Sequence, residues 1–240
     1  MEHRFKPLLR EPVYLKVSNA IEADILSGAL PEGAFLPTEG ELCTQFGVTR
    51  SSVREGIRLL EQAGLVERGA AKRLVVRRPK TSDIAETASR GLTLGGVTFR
   101  EVWEALAALY PQAARLAAKR LDAEALDALR AIHSRLEKTE DADGVVAGAV
   151  EFFQELAAGL DNRVMLAMLQ SLNLMIGASL AQVINKAPKA RERILMAQRE
   201  IITALAAHDG DKAGEWMARH IDDLMRGYKV AKVDLSARIL

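Results

Sequence analysis

The sequence predicts a mainly α chain in two parts, a helix-turn-helix with a β-hairpin behind it and then an all-α antiparallel helical bundle. Three observations carry this expectation. Residues 36–66 hold two helical segments around a tight turn, residues 65–77 hold two short β-like runs around a glycine, and beyond about residue 83 apolar residues keep helical spacing without a convincing alternating strand. At 240 residues, 49% hydrophobic and 27% charged, the chain has the length for two domains and an ordinary globular composition.

Pro37 and Thr38-Glu39-Gly40-Glu41 mark a helix start, with Thr38 as N-cap and Glu41 as its capping-box partner. Gly47 ends that helix, and Cys43 reads as a small buried residue within it. Thr49, Ser51 and Ser52 are N-cap candidates for a second helix, whose Val53, Ile57 and Leu60 share one face while Arg50, Arg54 and Arg58 recur every four residues on another. Gly64 closes it. Leu65-Val66-Glu67-Arg68 and Leu74-Val75-Val76-Arg77 flank Gly69-Ala70-Ala71-Lys72-Arg73, a hairpin with a basic tip, and together these elements make a winged helix-turn-helix. A helix that follows a tight turn and begins with basic residues can enter the major groove, where guanidinium forks match guanine edges or clamp phosphates.

Charge points the same way. The net charge is only +1, yet residues 46–80 carry nine Lys and Arg against three Asp and Glu, and residues 81–240 carry 20 against 22. A basic recognition helix and wing attract nucleic acid by counterion release. One cysteine excludes an internal disulfide, and the absence of a signal-like N-terminus or an apolar run of membrane length leads to a cytoplasmic expectation with no membrane.

Residues 79–83 read as a linker around Pro79, which divides a DNA-binding domain at 1–78 from a helical domain at 84–232 and a tail at 233–240. Breaks at Gly95-Gly96, Asp122, Asp141-Ala142-Asp143-Gly144, Asp161-Asn162, Ala187-Pro188 and His208-Asp209-Gly210-Asp211 cut the second part into six or seven helices. Val102, Leu106, Leu109, Ala113 and Leu116, then Leu121, Leu126, Leu129, Ile132 and Leu136, give each helix a face for a shared core.

Ile25-Leu26-Ser27-Gly28 through Leu30-Pro31-Glu32-Gly33, Leu36-Pro37-Thr38-Glu39, Phe46-Gly47-Val48-Thr49-Arg50, and Val53-Arg54-Glu55 to Gly64-Leu65-Val66 resemble the winged helix-turn-helix of the GntR family of bacterial transcription regulators, over about residues 10–78. The resemblance implies DNA contacts from Thr49, Arg50, Ser51, Ser52 and Arg54, with Lys72 and Arg73 at the wing. Two departures stand out: Gly40 replaces an arginine that helps hold DNA in the family, and the usual Gly-x-Gly wing tip is absent, which leaves more of the wing contact to Lys72 and Arg73.

Residues 104–121, 152–162 and the stretch from Arg199-Glu200-Ile201 to Arg219-His220-Ile221 resemble the helical ligand-sensing FCD domain of the family's FadR-type branch. Many such domains hold a divalent metal between one aspartate and three histidines. The resemblance places those ligands at Ala149, Phe153, Gln198 and His220, so neither metal nor other cofactor is expected. An Arg and a Glu common in the domain are Leu106 and Tyr110 here. The implied effector site is Leu106, Tyr110, Phe153, Gln198 and His220, with Ala149, and it suits an apolar or aromatic acid whose polar end meets His220 or Gln198.

No nucleophile–base motif, phosphate loop or dinucleotide turn is present, so the chain is not expected to be an enzyme. The expectation is a homodimeric repressor on a palindromic double-stranded DNA operator, released by a small-molecule effector. The alternative is a constitutive dimeric DNA-binding protein whose helical half only dimerises.

Overall fold

A computed structural model of the chain describes residues 11–69, 73–187 and 189–239. Its internal contacts divide into two units, Met1–Lys80 and Thr81–Leu240.

The first unit runs α1 (Val13–Ser27), α2 (Glu39–Phe46), α3 (Arg50–Gln62), β1 (Val66–Arg68) and β2 (Leu74–Val76). Thr38 caps α2 as expected: its Oγ1 accepts from the Glu41 N–H at 3.3 Å, and its own N–H donates to the Glu41 carboxylate at 2.7 Å. Gly47 stops the helix at φ 63°, a left-handed backbone that glycine adopts without a Cβ penalty. Val53, Ile57 and Leu60 of α3 meet Val17 and Ile21 of α1 in one core with Leu36, Leu42 and the hairpin. Gly56 permits that approach, since a Cβ there would stand 2.9 Å from the Tyr14 carbonyl oxygen.

β1 and β2 pair antiparallel from Val66 opposite Val76 to Arg68 opposite Leu74. A third segment joins them, with Phe35 bridged to Val75 and the Leu36 N–H donating to the Leu74 carbonyl at 2.9 Å. One expectation is corrected: Cys43 is only half-buried, because Leu42 is the residue of α2 that reaches the core.

The second unit contains, among the described residues, α4 (Thr81–Leu94), α5 (Phe99–Arg120), α6 (Ala123–Glu137), α7 (Ala142–Ala158), α8 (Arg163–Lys186), α9 (Ala190–Ala206) and α10 (Gly210–Val230). The breaks read from the sequence are mostly caps. Asp122, Asp141, Asn162 and Asp209 each accept a backbone N–H of the first turn that follows. α10 lies along α5 and α9, while α8 is flanked by α4 and α7. Val102, Leu106, Ala113, Leu129 and Ile132 enter the core, whereas Leu109, Leu116, Leu121 and Leu126 pack partly buried against it.

Two boundaries differ from the sequence reading. Thr81 already begins α4, so residues 81–83 are helix rather than linker. Residues 233–239 are not a tail: the Ile239 N–H donates to the Val97 carbonyl at 2.9 Å, the Arg100 N–H donates to the Leu235 carbonyl at 2.9 Å, and the Ile239 side chain is buried. The first backbone N–H groups of α5 have no helical partner, and this returning segment accepts from those of Phe99 and Arg100.

Candidate functional site

The start of α3 gathers the residues singled out in the first unit. Thr49 is the N-cap, its Oγ1 accepting from the Ser52 N–H at 3.4 Å and lying 2.9 Å from Ser51 Oγ and 3.1 Å from Ser52 Oγ. These hydroxyls surround backbone N–H groups at the positive end of a helix dipole, an arrangement suited to phosphate oxygens.

The arginines are set differently. Arg50 is exposed and makes no ion pair among the described residues. Arg54 donates from Nε to Glu39 Oε2 at 2.7 Å, a hydrogen bond that raises its already high pKa and leaves both Nη groups without a partner among the described residues. Arg58 instead lies along its own helix on Glu55, with Nη2 2.7 Å from Oε1. At the wing, Arg73 rests over the Phe35 ring, 4.2 Å from its centroid, a cation–π contact on an exposed aromatic. Lys72 lies outside the described residues.

The second unit encloses a cavity of about 350 Å³ between α7, α8, α9 and α10. Its wall is mostly apolar. Ala149, Val150 and Phe153 come from α7, Ile176, Leu180 and Val183 from α8, and Leu224 and Val230 from α10. Charge also reaches the lining, in Lys189, Arg193, Asp223 and Arg226. Arg193 Nη1 is 3.1 Å and Arg226 Nη2 2.6 Å from the same Asp223 Oδ1, an ion bridge between α9 and α10.

Phe153 and His220 line this cavity as expected, and so does Ala149. The Phe153 ring stacks on the His220 imidazole at 5.2 Å and 14°, and meets Tyr110 at 4.6 Å. Burial lowers the His220 pKa to about 4, against a small opposing effect of Asp223, so the ring is neutral at pH 7. Its Nε2 is buried without a hydrogen-bond partner among the described residues.

Leu106, Tyr110 and Gln198 do not line the cavity, contrary to the expectation that they share one chamber with Ala149, Phe153 and His220. The Tyr110 hydroxyl donates to Asn173 Oδ1 at 2.6 Å in the core, where burial pushes its pKa up. Gln198 is fully buried with Oε1 3.3 Å from His133 Nδ1, so its carbonyl is engaged inside the bundle. Leu106 faces a separate void of about 10 Å³ beside Trp103 and Tyr228. Leaving the buried Tyr110 hydroxyl unpaired would cost roughly 1–3 kcal/mol.

Sequence reasoning missed Lys189, Arg193, Asp223 and Arg226. A faint signal existed in the basic run at the start of α9 and in the i, i+3 spacing of Asp223 and Arg226. Neither shows which basic residue faces the cavity. Arg191, two positions before Arg193, instead donates to the carbonyls of Glu137 at 2.7 Å and Thr139 at 2.8 Å, at the C-terminal end of α6.

The residues at the expected metal positions do not fit a metal. Ala149 has no donor, the Phe153 ring covers a face of His220, and Gln198 is turned to His133. No group of three or more metal-binding side chains forms among the described residues. Nor is any helix among them long and apolar enough to cross a membrane.

Comparison with known proteins gives two family matches, "Bacterial regulatory proteins, gntR family" over residues 13–79 and "FCD domain" over residues 101–223. An HTH-type transcriptional regulator of Mycobacterium tuberculosis is 33% identical over 160 residues, which span 66% of this chain and 66% of that one. The HTH-type transcriptional repressor NanR of Escherichia coli is 26% identical over 230 residues, covering 92% of this chain and 86% of the repressor. Among solved structures, the Streptococcus agalactiae GntR superposes with a TM-score of 0.64 at 25% identity, covering 89% of this chain and 99% of that one.

Proposed function

The chain belongs to the GntR family of bacterial regulatory proteins and carries the FCD domain, and we propose that it is a cytoplasmic, homodimeric transcription repressor released from a palindromic operator by an apolar or aromatic acid. That family is one of regulators, not enzymes. The observation that carries the DNA-binding half is the start of α3, where Thr49, Ser51 and Ser52 place hydroxyls at a helix N-terminus and Arg50 and Arg54 stand exposed beside them. Thr49, Ser51 and Ser52 contact phosphates in this reading, Arg50 and Arg54 reach base edges or nearby phosphates, and Lys72 and Arg73 hold the backbone at the wing.

The cavity favours a ligand-responsive protein over a constitutive one. A chamber of about 350 Å³ lies within the range of small-molecule sites, roughly 300–1,000 Å³, and its lining is largely apolar with a few charged groups. An effector that prefers one arrangement of the dimer over another shifts operator affinity by that difference, typically on the order of 1–3 kcal/mol.

Operator binding by fluorescence anisotropy tests the assignment. Arg54→Ala costs about 1–3 kcal/mol of operator affinity and relaxes preference at one base pair. Wild-type affinity and selectivity in Arg54→Ala would remove α3 as the reading helix.

A further inference from the structure

The charged lining of the cavity calls for an explanation beyond its apolar walls. Lys189, Arg193 and Arg226 contribute three positive charges against the single carboxylate of Asp223. Both arginines converge on one oxygen, Asp223 Oδ1, at 3.1 and 2.6 Å. Asp223 is mostly buried, its side chain 18% exposed, whereas the arginines are 49% and 60% exposed. The three basic groups carry more charge than one carboxylate neutralises, and they stand where the apolar chamber meets the ends of α9 and α10.

One turn before Asp223 on α10, the lining carries no charge. His220, a lining residue, is neutral at pH 7 and stacked on Phe153, and its Nε2 is buried with no partner among the described residues. An anionic head directed there would lose its hydration without gaining a counter-ion, a large penalty. An apolar chain or ring fits against Phe153, Ile176 and Leu180.

We propose that Asp223 occupies the place of a ligand carboxylate, and that the effector is an apolar monocarboxylate whose head binds Arg193 and Arg226 while its body lies toward Phe153 and His220. The proposal rests on reading this cavity as the effector site and reverses the orientation expected from the sequence. Binding transfers the arginine hydrogen bonds from Asp223 to the ligand, which loosens the ion bridge between α9 and α10. The ligand therefore competes with a residue of the protein itself, and its affinity is lower than the apolar burial alone would give.

Calorimetric titration of the full-length protein with octanoate, octanol and citrate tests this. Octanoate and octanol share a body, octanoate alone carries the anion, and citrate carries charge without a body. Wild type binds octanoate in preference to both. Arg193→Gln and Arg226→Gln each weaken octanoate about tenfold, the loss of one charge-assisted hydrogen bond, and leave octanol within about twofold. Asp223→Asn removes the competing carboxylate and tightens octanoate about tenfold with octanol unchanged. Should octanoate and octanol bind equally, with both indifferent to these three substitutions, the head-group assignment is wrong while the cavity survives as a ligand site. Weaker octanoate binding in Asp223→Asn overturns it as well. If neither amphiphile binds, or if both bind unchanged in Ala149→Trp, which fills the chamber, the cavity reading itself fails and the assignment falls with it.

Discussion

At the residue scale, identical side chains divide by the partner that each one finds. Arg54 and Arg58 both face solvent from α3, one turn apart, yet Arg54 is anchored through Nε on Glu39 and keeps its Nη fork open, while Arg58 spends its fork on Glu55. A guanidinium held at one edge is oriented before DNA arrives, which lowers the entropy lost on binding. The same division separates His133, largely buried but with Nε2 3.4 Å from Glu137, from His220, buried against Phe153. Because the folded pKa of His220 is lowered from 6.5 to about 4, the unfolded chain takes up the proton first as the pH falls. Stability is unaffected above pH 6.5 and is lost between about 6.5 and 4, by roughly 3 kcal/mol in total. Urea unfolding at pH 7 and pH 5 checks this. Wild type loses more stability over that interval than His220→Gln, and an equal loss in the two proteins would show that His220 titrates normally.

At the element scale, helices begin where short polar side chains cap them and end where the chain needs a backbone that a helix cannot supply. Thr38 and Thr98 each form a full capping box, with Glu41 and Glu101, and four Asp or Asn caps start other helices of the second unit. The segment after α10 is different in kind, since it has no helical period and gains its place by pairing with the residues ahead of α5. Ile239 anchors it at 5% exposure among the core residues of the second unit. Ile239→Ala therefore costs about 2–4 kcal/mol, the usual penalty for truncating a buried isoleucine. Guanidinium unfolding followed by circular dichroism measures it, and a loss under about 0.5 kcal/mol would mean that the segment is surface decoration.

At the scale of the whole molecule, the proposed function gives each chain one reading helix, α3, which covers only half of a palindromic operator. A two-fold dimer places two such helices on half-sites about one helical turn, roughly 34–36 Å, apart. Light scattering on the purified protein is expected to give twice the chain mass of 26.2 kDa, and an operator with both half-sites to bind far more tightly than one half-site alone. A monomer in solution, or equal affinity for the single half-site, contradicts the dimeric repressor. The wing and the first turn of α3 contact phosphates in this reading, so operator affinity falls steeply with added salt.

What the sequence determined by itself were the features that local physics controls. Helix starts at Thr38, Thr49, Asp122, Asp141 and Asn162 were legible because a cap is a bond between residues two or three apart, and the hairpin was legible because its strands are neighbours in the chain. The direction of Arg50 and Arg54 followed from helical period alone. Tertiary structure decided the rest, because it depends on which faces meet. Gln198 shares α9 with the cavity residues Arg193 and Ile194 but turns to His133, while Leu106 and Tyr110 lie on α5, outside that wall, and Tyr110 turns to Asn173; both pairings span more than sixty positions. Arg193 and Asp223 are thirty residues apart and meet only because α9 packs on α10. A cavity is the space that packing leaves over, and only the packed molecule reveals which side chains border it.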